Sequence, residues 1–553
     1  MLCQIITMQY SKLADLYEQL ESTAKKLEKR DMLAEFYKKS DSIDKVVMMS
    51  TGSVFPAGSY DLGLARELMK KIIAKSSGSS LDSVNKTFKE TGDLGLTAEK
   101  LMQKKKQSFL ASHALTVDKV FDNLKELPNL TGKGSQERKV DLVVELLSHA
   151  SPKEARYIVR TIIGGMRIGV AEGIIREAIA LAFDKEPQQI EHAFNVVGDF
   201  GIVAEMAKKN NLKAEVQLFH PIRVMLADAG PELKEAIEKF EETAIEYKYD
   251  GFRIQAHKDG NKVKIFSRRL DEVTNQFPDI EKMIKEQVYA KQCIIEGEVV
   301  AVDNKGNPQP FQSLSRRIKR KHDIEKMVKD IPVQVNLFDV IYLNGKSLMN
   351  EPFKERWKIL QKIIKQVKSL RLADHIETKD IEQAEKFYQS SLKAGQEGVI
   401  IKNLHAHYQP GKRVGYWLKI KPIMEPLDLV VVGAEWGEGK RAKWLSSMVL
   451  AARNKEELLD TGRMASGFTE DQLEELTKKL KPLIIEEQDK IAKIKPQVVI
   501  EIGYEEIQKS QKYPSGYALR FPRLLKIRDD KLPKDANTVR DIEKLFTMQK
   551  KRK

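Results

Sequence analysis

The stretch EYKYDGFR, Glu246 to Arg253, sets one lysine between two tyrosines and follows it with Asp-Gly and an arginine. A lysine amine attacks an electrophile only when deprotonated, and an apolar wall or a neighbouring cation favours that neutral form. Tyr247 and Tyr249 are candidates for the wall and Arg253 for the cation, with Asp250-Gly251 turning the chain between two strands. The chemistry on offer is covalent catalysis by Lys248. The same residues also suit a solvent-facing lysine on an edge strand beside a hairpin, so the motif alone does not decide.

Three later stretches add charge where strands are expected. IIEGEVV places Glu296 and Glu298 on one face of a strand. EGVIIK puts Glu397 at a strand start and Lys402 at its end, and WLKIK points Lys419 and Lys421 the same way. A charge on a mostly apolar strand is costly unless it is paired or binds something. Two same-facing lysines repel each other unless an anion lies between them. Carboxylates on separate strands suit a divalent cation that bridges phosphate oxygens. Singly, each is also an ordinary solvent-facing residue of an alternating strand. Together, a nucleophile, cations for phosphate oxygens and carboxylates for a metal are the parts of nucleotidyl transfer.

Those residues need strands to hold them, and the texture of the chain changes where they begin. Up to about residue 220 it reads as helical. KLADLYEQLESTAKKLEKRDMLAEFYKK and REAIALAFDKEPQQIEHAFNVVGDFGIVAEMAKK space apolar residues three and four apart, with charges between them. FHPIRVMLADAG, Phe219 to Gly230, breaks that pattern. DGFRIQAHKDGNKVKIFSRR then predicts a hairpin around KDGN, and CIIEGEVVAVD, VQVNLFDVIYLNG and EGVIIKN predict further strands. FKERWKILQKIIKQV is an amphipathic helix among them. A second seam is KPIMEPLD, Lys421 to Asp428. Beyond it LVVVGAEWGEGKRAKWLSSMVLAARN predicts short strands with Gly turns, as in a small barrel, and DIEKLFTMQKKRK a short basic helix.

Composition sets outer limits. The 553 residues suit about three domains. Lys and Arg number 95 against 80 Asp and Glu, a formal charge of +15. That surplus suits a polyanion such as nucleic acid, or simply a solvated basic surface. Two cysteines, Cys3 and Cys293, exclude a disulfide framework and point to a reducing, intracellular setting. No apolar run reaches the roughly 18 residues of a membrane span, so no membrane partner is expected. The opening MLCQIITMQYSKL lacks the pattern of a signal peptide.

The ordered series KYDGFR, SRR, EGE, FDVIYLNG, EGVIIK, WLKIK and RDDK resembles the signature set of the covalent nucleotidyltransferases, the superfamily of polynucleotide ligases and mRNA capping enzymes. The resemblance implies that Lys248 attacks the α-phosphate of ATP and forms a lysyl-AMP phosphoramidate. It implies that Glu246 reads the adenine amino group and that Phe338 stacks on the base. Arg253 and Arg268 are implied to contact ribose and phosphate, and later the DNA 5′-phosphate. Glu298 and Glu397 are implied to bind the ribose edge and Mg2+, with Mn2+ as an alternative. Arg413, Lys419 and Lys421 would hold the α-phosphate, and Arg528 and Lys531 the leaving pyrophosphate.

GKGSQERKVDLVVELL (Gly132 to Leu147) and SPKEARYIVRTIIGGMRIGVAEGIIREAIALAF (Ser151 to Phe183) resemble the helical DNA-binding domain of ATP-dependent DNA ligases of the archaeal and eukaryotic replicative type. In MRIGVAEG, glycines beside a helix start could offer N–H groups to a DNA phosphate, or merely permit close packing. Capping enzymes and many RNA ligases share the core without this front, so an RNA ligase or capping-type enzyme is the alternative. The resemblance implies a multidomain fold: an all-α DNA-binding domain over 1–218, an α+β adenylation domain over 219–424 and a C-terminal OB-fold β-barrel over 425–553. It implies nicked double-stranded DNA as partner, a monomer, and a cytoplasmic, nucleoid-associated setting in a prokaryote. QKKKQSFLAS, Gln103 to Ser112, partly resembles a sliding-clamp-binding stretch. Phe109-Leu110 stands where two aromatics are usual and Gln107 comes one place late. Gln107–Leu110 is thus a candidate clamp contact or an amphipathic basic loop.

Overall fold

The apolar spacing of the first stretch produces helices. In the computed structural model, twelve α-helices run from Tyr10 to Lys208 among the described residues. Those are residues 8–56, 62–104, 114–132, 134–318, 320, 323–422, 424–437, 441, 443–488 and 490–552. The Gln107–Leu110 stretch lies outside them. The buried helical stripes, with Tyr17, Tyr37, Val47, Ile73, Tyr157 and Ile179 among them, merge into one core. SPKE opens the helix Pro152–Ile162 with a capping box, the Ser151 and Glu154 side chains each accepting from the other's backbone N–H. At MRIGVAEG, Arg167 pairs with Asp93 at 3.1 Å and the Lys29 ammonium donates to the Ile168 carbonyl.

Contacts divide the chain into two units of three segments each. The first holds Met1–Asp228, Gly251–Asp374 and Lys402–Trp417; the second holds Ala229–Asp250, His375–Ile401 and Leu418–Lys553.

Beside its helices, the first unit contains a six-stranded sheet. Its order is Lys262–Ser267, Phe252–Asp259, Gln292–Ala301, Val333–Leu343, Lys346–Ser347, with Leu370–Leu372 added in parallel to Val333–Leu343. The hairpin around KDGN forms, with Asp259 opposite Lys262. FKERWKILQKI is the helix Phe353–Ile363, with its apolar face buried.

The second unit carries a five-stranded sheet in the order Asp228–Ala229, Trp417–Ile420, Gly398–Asn403, Thr243–Lys248, His375–Glu377, its border strands running on along the chain into the first unit. It also carries a seven-stranded antiparallel sheet built on Leu427–Trp436. That strand and its partner Leu445–Asn454 have ten residues each, longer than the short strands expected, and register shifts after Val431 and Glu435 let the pair bend.

One expectation is corrected. Asp250-Gly251 does not close a hairpin, because Thr243–Lys248 belongs to the five-stranded sheet and Phe252–Asp259 to the six-stranded one. Gly251 is needed for another reason. A Cβ there would lie 2.5 Å from the Val299 carbonyl oxygen and 2.8 Å from Glu298 Cγ, so only glycine lets the backbone pass so close to the neighbouring strand.

Candidate active site

Lys248 ends an inner strand of its sheet, with 21 % of its side chain exposed. Its ammonium pairs with the Glu397 carboxylate. The Glu397 N–H also donates to the Lys248 carbonyl at 2.9 Å, so backbone and side chain hold the two residues together. Lys421 pairs with the same carboxylate at 2.8 Å and with Glu505 at 3.0 Å. Within its unit Lys248 therefore has a carboxylate as its charge partner, shared with the Lys421 cation. Burial alone would raise the Glu397 carboxyl, but Lys248 and Lys421 hold it down at about 2. Burial alone would lower Lys421, and Glu397 with Glu505 outweigh it to raise the value. Gly398, at φ +140, makes this possible: a Cβ there would lie 2.1 Å from the Ile420 carbonyl oxygen.

Of the tyrosines flanking Lys248, Tyr247 packs on Phe387 with ring centroids 4.8 Å apart and lies 6.2 Å from the Tyr249 ring centroid. Glu246 is buried and lies 3.2 Å from His375 Nδ1, its cross-strand neighbour. Lys419 is half-buried within the strand Trp417–Ile420, whereas Lys421 lies just past its end.

The first unit gathers a second set. Arg253 and Glu298 face each other across paired strands, as do Gln255 and Glu296. Arg253 donates to Glu296 at 2.8 Å and to the Met225 carbonyl at 2.7 Å. Its guanidinium lies 5.2 Å from the Phe338 ring centroid, and Phe338 meets Trp417 edge-on. Lys402, 2 % exposed, sets its ammonium 4.3–4.8 Å from the ring centroids of Phe353, Trp417 and Phe338. Burial, with Arg253 beside it, pushes Arg268 below its ordinary value, Glu298 opposing and Arg413 and Arg269 adding to the shift. Several arginines around one carboxylate favour an anionic ligand.

Known proteins match this chain along its length. Residues 9–180 match the family model described as DNA ligase N terminus, 224–421 the ATP dependent DNA ligase domain, and 441–531 the ATP dependent DNA ligase C terminal region. The DNA ligase of Thermococcus fumicolans is 43 % identical over 554 residues, covering 98 % of this chain and 99 % of that protein. The chain belongs to the ATP-dependent DNA ligases. The DNA ligase of Archaeoglobus fulgidus is likewise 43 % identical over 552 residues, with the same shares covered. The solved structure Pmar-Lig_Pre shares the fold at TM-score 0.58 and 19 % identity, covering 94 % of the ligase and 99 % of that chain. The ligase thus has a helical N-terminal region, an adenylation domain and a β-rich C-terminal region.

At the C-terminal end of the ligase, Arg528 and Lys531 both bind Asp428, at 3.1 and 2.5 Å, and Arg528 also binds Asp530 at 2.7 Å. The Asp530 bond and Asp428 push Arg528 up against the opposing effect of desolvation. Among the described residues no group of three or more His, Cys, Asp or Glu is placed to hold a metal, and no helix is long and apolar enough to cross a membrane. Sequence reasoning assigned no role to Glu296, Gln255, Tyr408, Trp417 or Glu505. An acidic residue two places before Glu298 was visible, but its partners were not. Tyr408 and Glu505 carried no local signal at all.

Proposed function

We propose that this ATP-dependent DNA ligase seals nicks in double-stranded DNA through a covalent adenylate on Lys248. The observation that carries the reading is the Lys421–Glu397–Lys248 chain of ion pairs at a strand end, which orients one particular amine. Deprotonated Lys248 Nζ forms a bond to the α-phosphorus of ATP. The bond from that phosphorus to the bridging oxygen breaks, and pyrophosphate leaves with the electron pair. The 5′-phosphate of the nick then takes the AMP from Lys248, and the 3′-hydroxyl attacks that phosphate and releases AMP.

Glu246 reads the adenine amino group and Phe338 stacks on the base. Arg253 and Arg268 contact ribose and phosphate, while Arg413, Lys419 and Lys421 neutralise the α-phosphate oxygens. Arg528 and Lys531 leave Asp428 to meet pyrophosphate. Glu298 and Glu397 are the carboxylates that would hold Mg2+ or Mn2+, since such hard cations take oxygen ligands. When bound, the ion would supply neutralisation of the charge that develops on the phosphate oxygens. The helical domain, 1–218, grips the duplex through its phosphates; 219–424 carries adenylation; 425–553 forms an OB-fold barrel. A monomer suffices for this cycle.

Incubation with labelled ATP and Mg2+ should leave label on the protein, and Lys248→Ala should leave none. Lys248→Ala should still seal a pre-adenylated nick slowly, since that step uses only the DNA 3′-hydroxyl. Label retained by Lys248→Ala would refute the assignment. Sealing of nicked RNA in preference to nicked DNA would favour the RNA-ligase alternative.

A further inference from the structure

A closed ring of hydrogen bonds surrounds Arg253. One Arg253 Nη donates to the Met225 carbonyl at 2.7 Å and the other to Glu296 at 2.8 Å. The Met225 N–H donates to the Tyr408 hydroxyl at 2.9 Å, and that hydroxyl donates to Glu296 at 3.0 Å, closing the ring. Tyr408 is 2 % exposed and Glu296 fully buried. Burial and the Glu296 charge hold the Tyr408 phenol well above its ordinary range, so it stays protonated and remains a donor.

The hydroxyl accepts from the Met225 N–H and donates to Glu296, a pairing phenylalanine cannot supply. Without it, a buried N–H loses its acceptor and a buried carboxylate loses a donor, which costs more than the bond itself. Gln255 braces the ring: it accepts from Ile222 N–H at 2.8 Å and donates to the Ile222 carbonyl at 3.1 Å and to Glu296 at 3.2 Å. The backbone from Phe219 to Met225 is thus laid along the side chains of the strand Phe252–Asp259, with Phe219 N–H reaching His257 at 2.9 Å. Arg253 Nε has no hydrogen-bond partner among the described residues, so one donor of the fork remains unspent.

We propose that Tyr408 is a positioning residue for nucleotide binding, fixing the Arg253 guanidinium through Glu296 and Met225 in the orientation that receives ATP. The proposal rests on Arg253 contacting the nucleotide, and the test separates the two. In the full-length protein, the rate of adduct formation is measured against ATP concentration, with melting temperature alongside. Arg253→Ala should raise the half-saturating ATP concentration by roughly tenfold or more; no change would refute the role of Arg253 itself. Tyr408→Phe should raise it by roughly tenfold while the maximal rate stays within about twofold. In the Arg253→Ala background Tyr408→Phe should add nothing to that shift, because it acts through Arg253. The proposal is overturned if Arg253→Ala raises the half-saturating concentration and Tyr408→Phe does not, or if the two effects add in the double variant. Should Tyr408→Phe fail to fold, Glu296→Gln, which keeps the side-chain shape, gives the same two readings.

Discussion

Glu397 lies within ion-pair reach of both Lys248 and Lys421, which fixes how it responds to acid. Its folded value of about 2 lies below the ordinary 4.5, so the unfolded chain binds the extra proton. Its stabilisation is therefore complete above 4.5 and is lost as pH falls toward about 2. Glu397→Gln should melt below the wild type at neutral pH, with the gap narrowing across that window; a gap constant with pH would show that the carboxylate charge contributes nothing. Glu298 calls for a different measurement. Glu298→Ala should lose adduct formation by roughly tenfold or more and recover in part at raised Mg2+ or with Mn2+. Insensitivity to metal would give Glu298 a structural role. That the charges of Lys248 and Glu397 need partners was legible, because charge on an apolar strand demands an explanation, and the two pair with each other. The use of Glu296 was not legible, since alternation puts it on the same face as Glu298 while its partners Arg253 and Tyr408 come from distant chain. Tyr408 reads as one aromatic among many until the fold brings Met225 to it.

At the scale of elements, helices and most strands followed from periodicity, and so did the KDGN hairpin. Alternation cannot say which sheet a strand will join, and for that reason Asp250-Gly251 looked like a hairpin turn. Nor could it show that the turn after the strand Arg523–Ile527 returns to the start of Leu427–Trp436, where Asp428 takes both Arg528 and Lys531. That shared aspartate gives the pair one anchor and leaves both cations at the same point. If they serve departing pyrophosphate, Arg528→Ala and Lys531→Ala should each slow adduct formation by roughly tenfold or more. Sealing of a pre-adenylated nick, which releases no pyrophosphate, should change by no more than about twofold. Separate rates for the two steps decide the matter, and equal slowing of both would refute the role.

At the scale of the molecule, the helical core is self-contained: its buried members end at Ala207, and the last side chain packed against it is Ala214. Ion pairs join it to the rest of its unit, Arg223 with Glu172 and Lys412 with Glu191, each at 2.7 Å. Deleting the chain up to Glu215 should therefore leave adduct formation within about threefold. Nick sealing should fall much further, and further still as salt rises, because phosphate contacts are lost and those that remain are screened. Equal loss of both steps would mean that the helices are required for folding. The threading of the two units has a consequence for synthesis on the ribosome. The helical core can close while everything after Ala214 is still unmade, whereas the six-stranded sheet must wait for Leu372 and the bonds around Arg253 for Tyr408. Every strand from Phe252 onward therefore emerges before its unit can close, a long exposure of unpaired strand edges to other nascent chains.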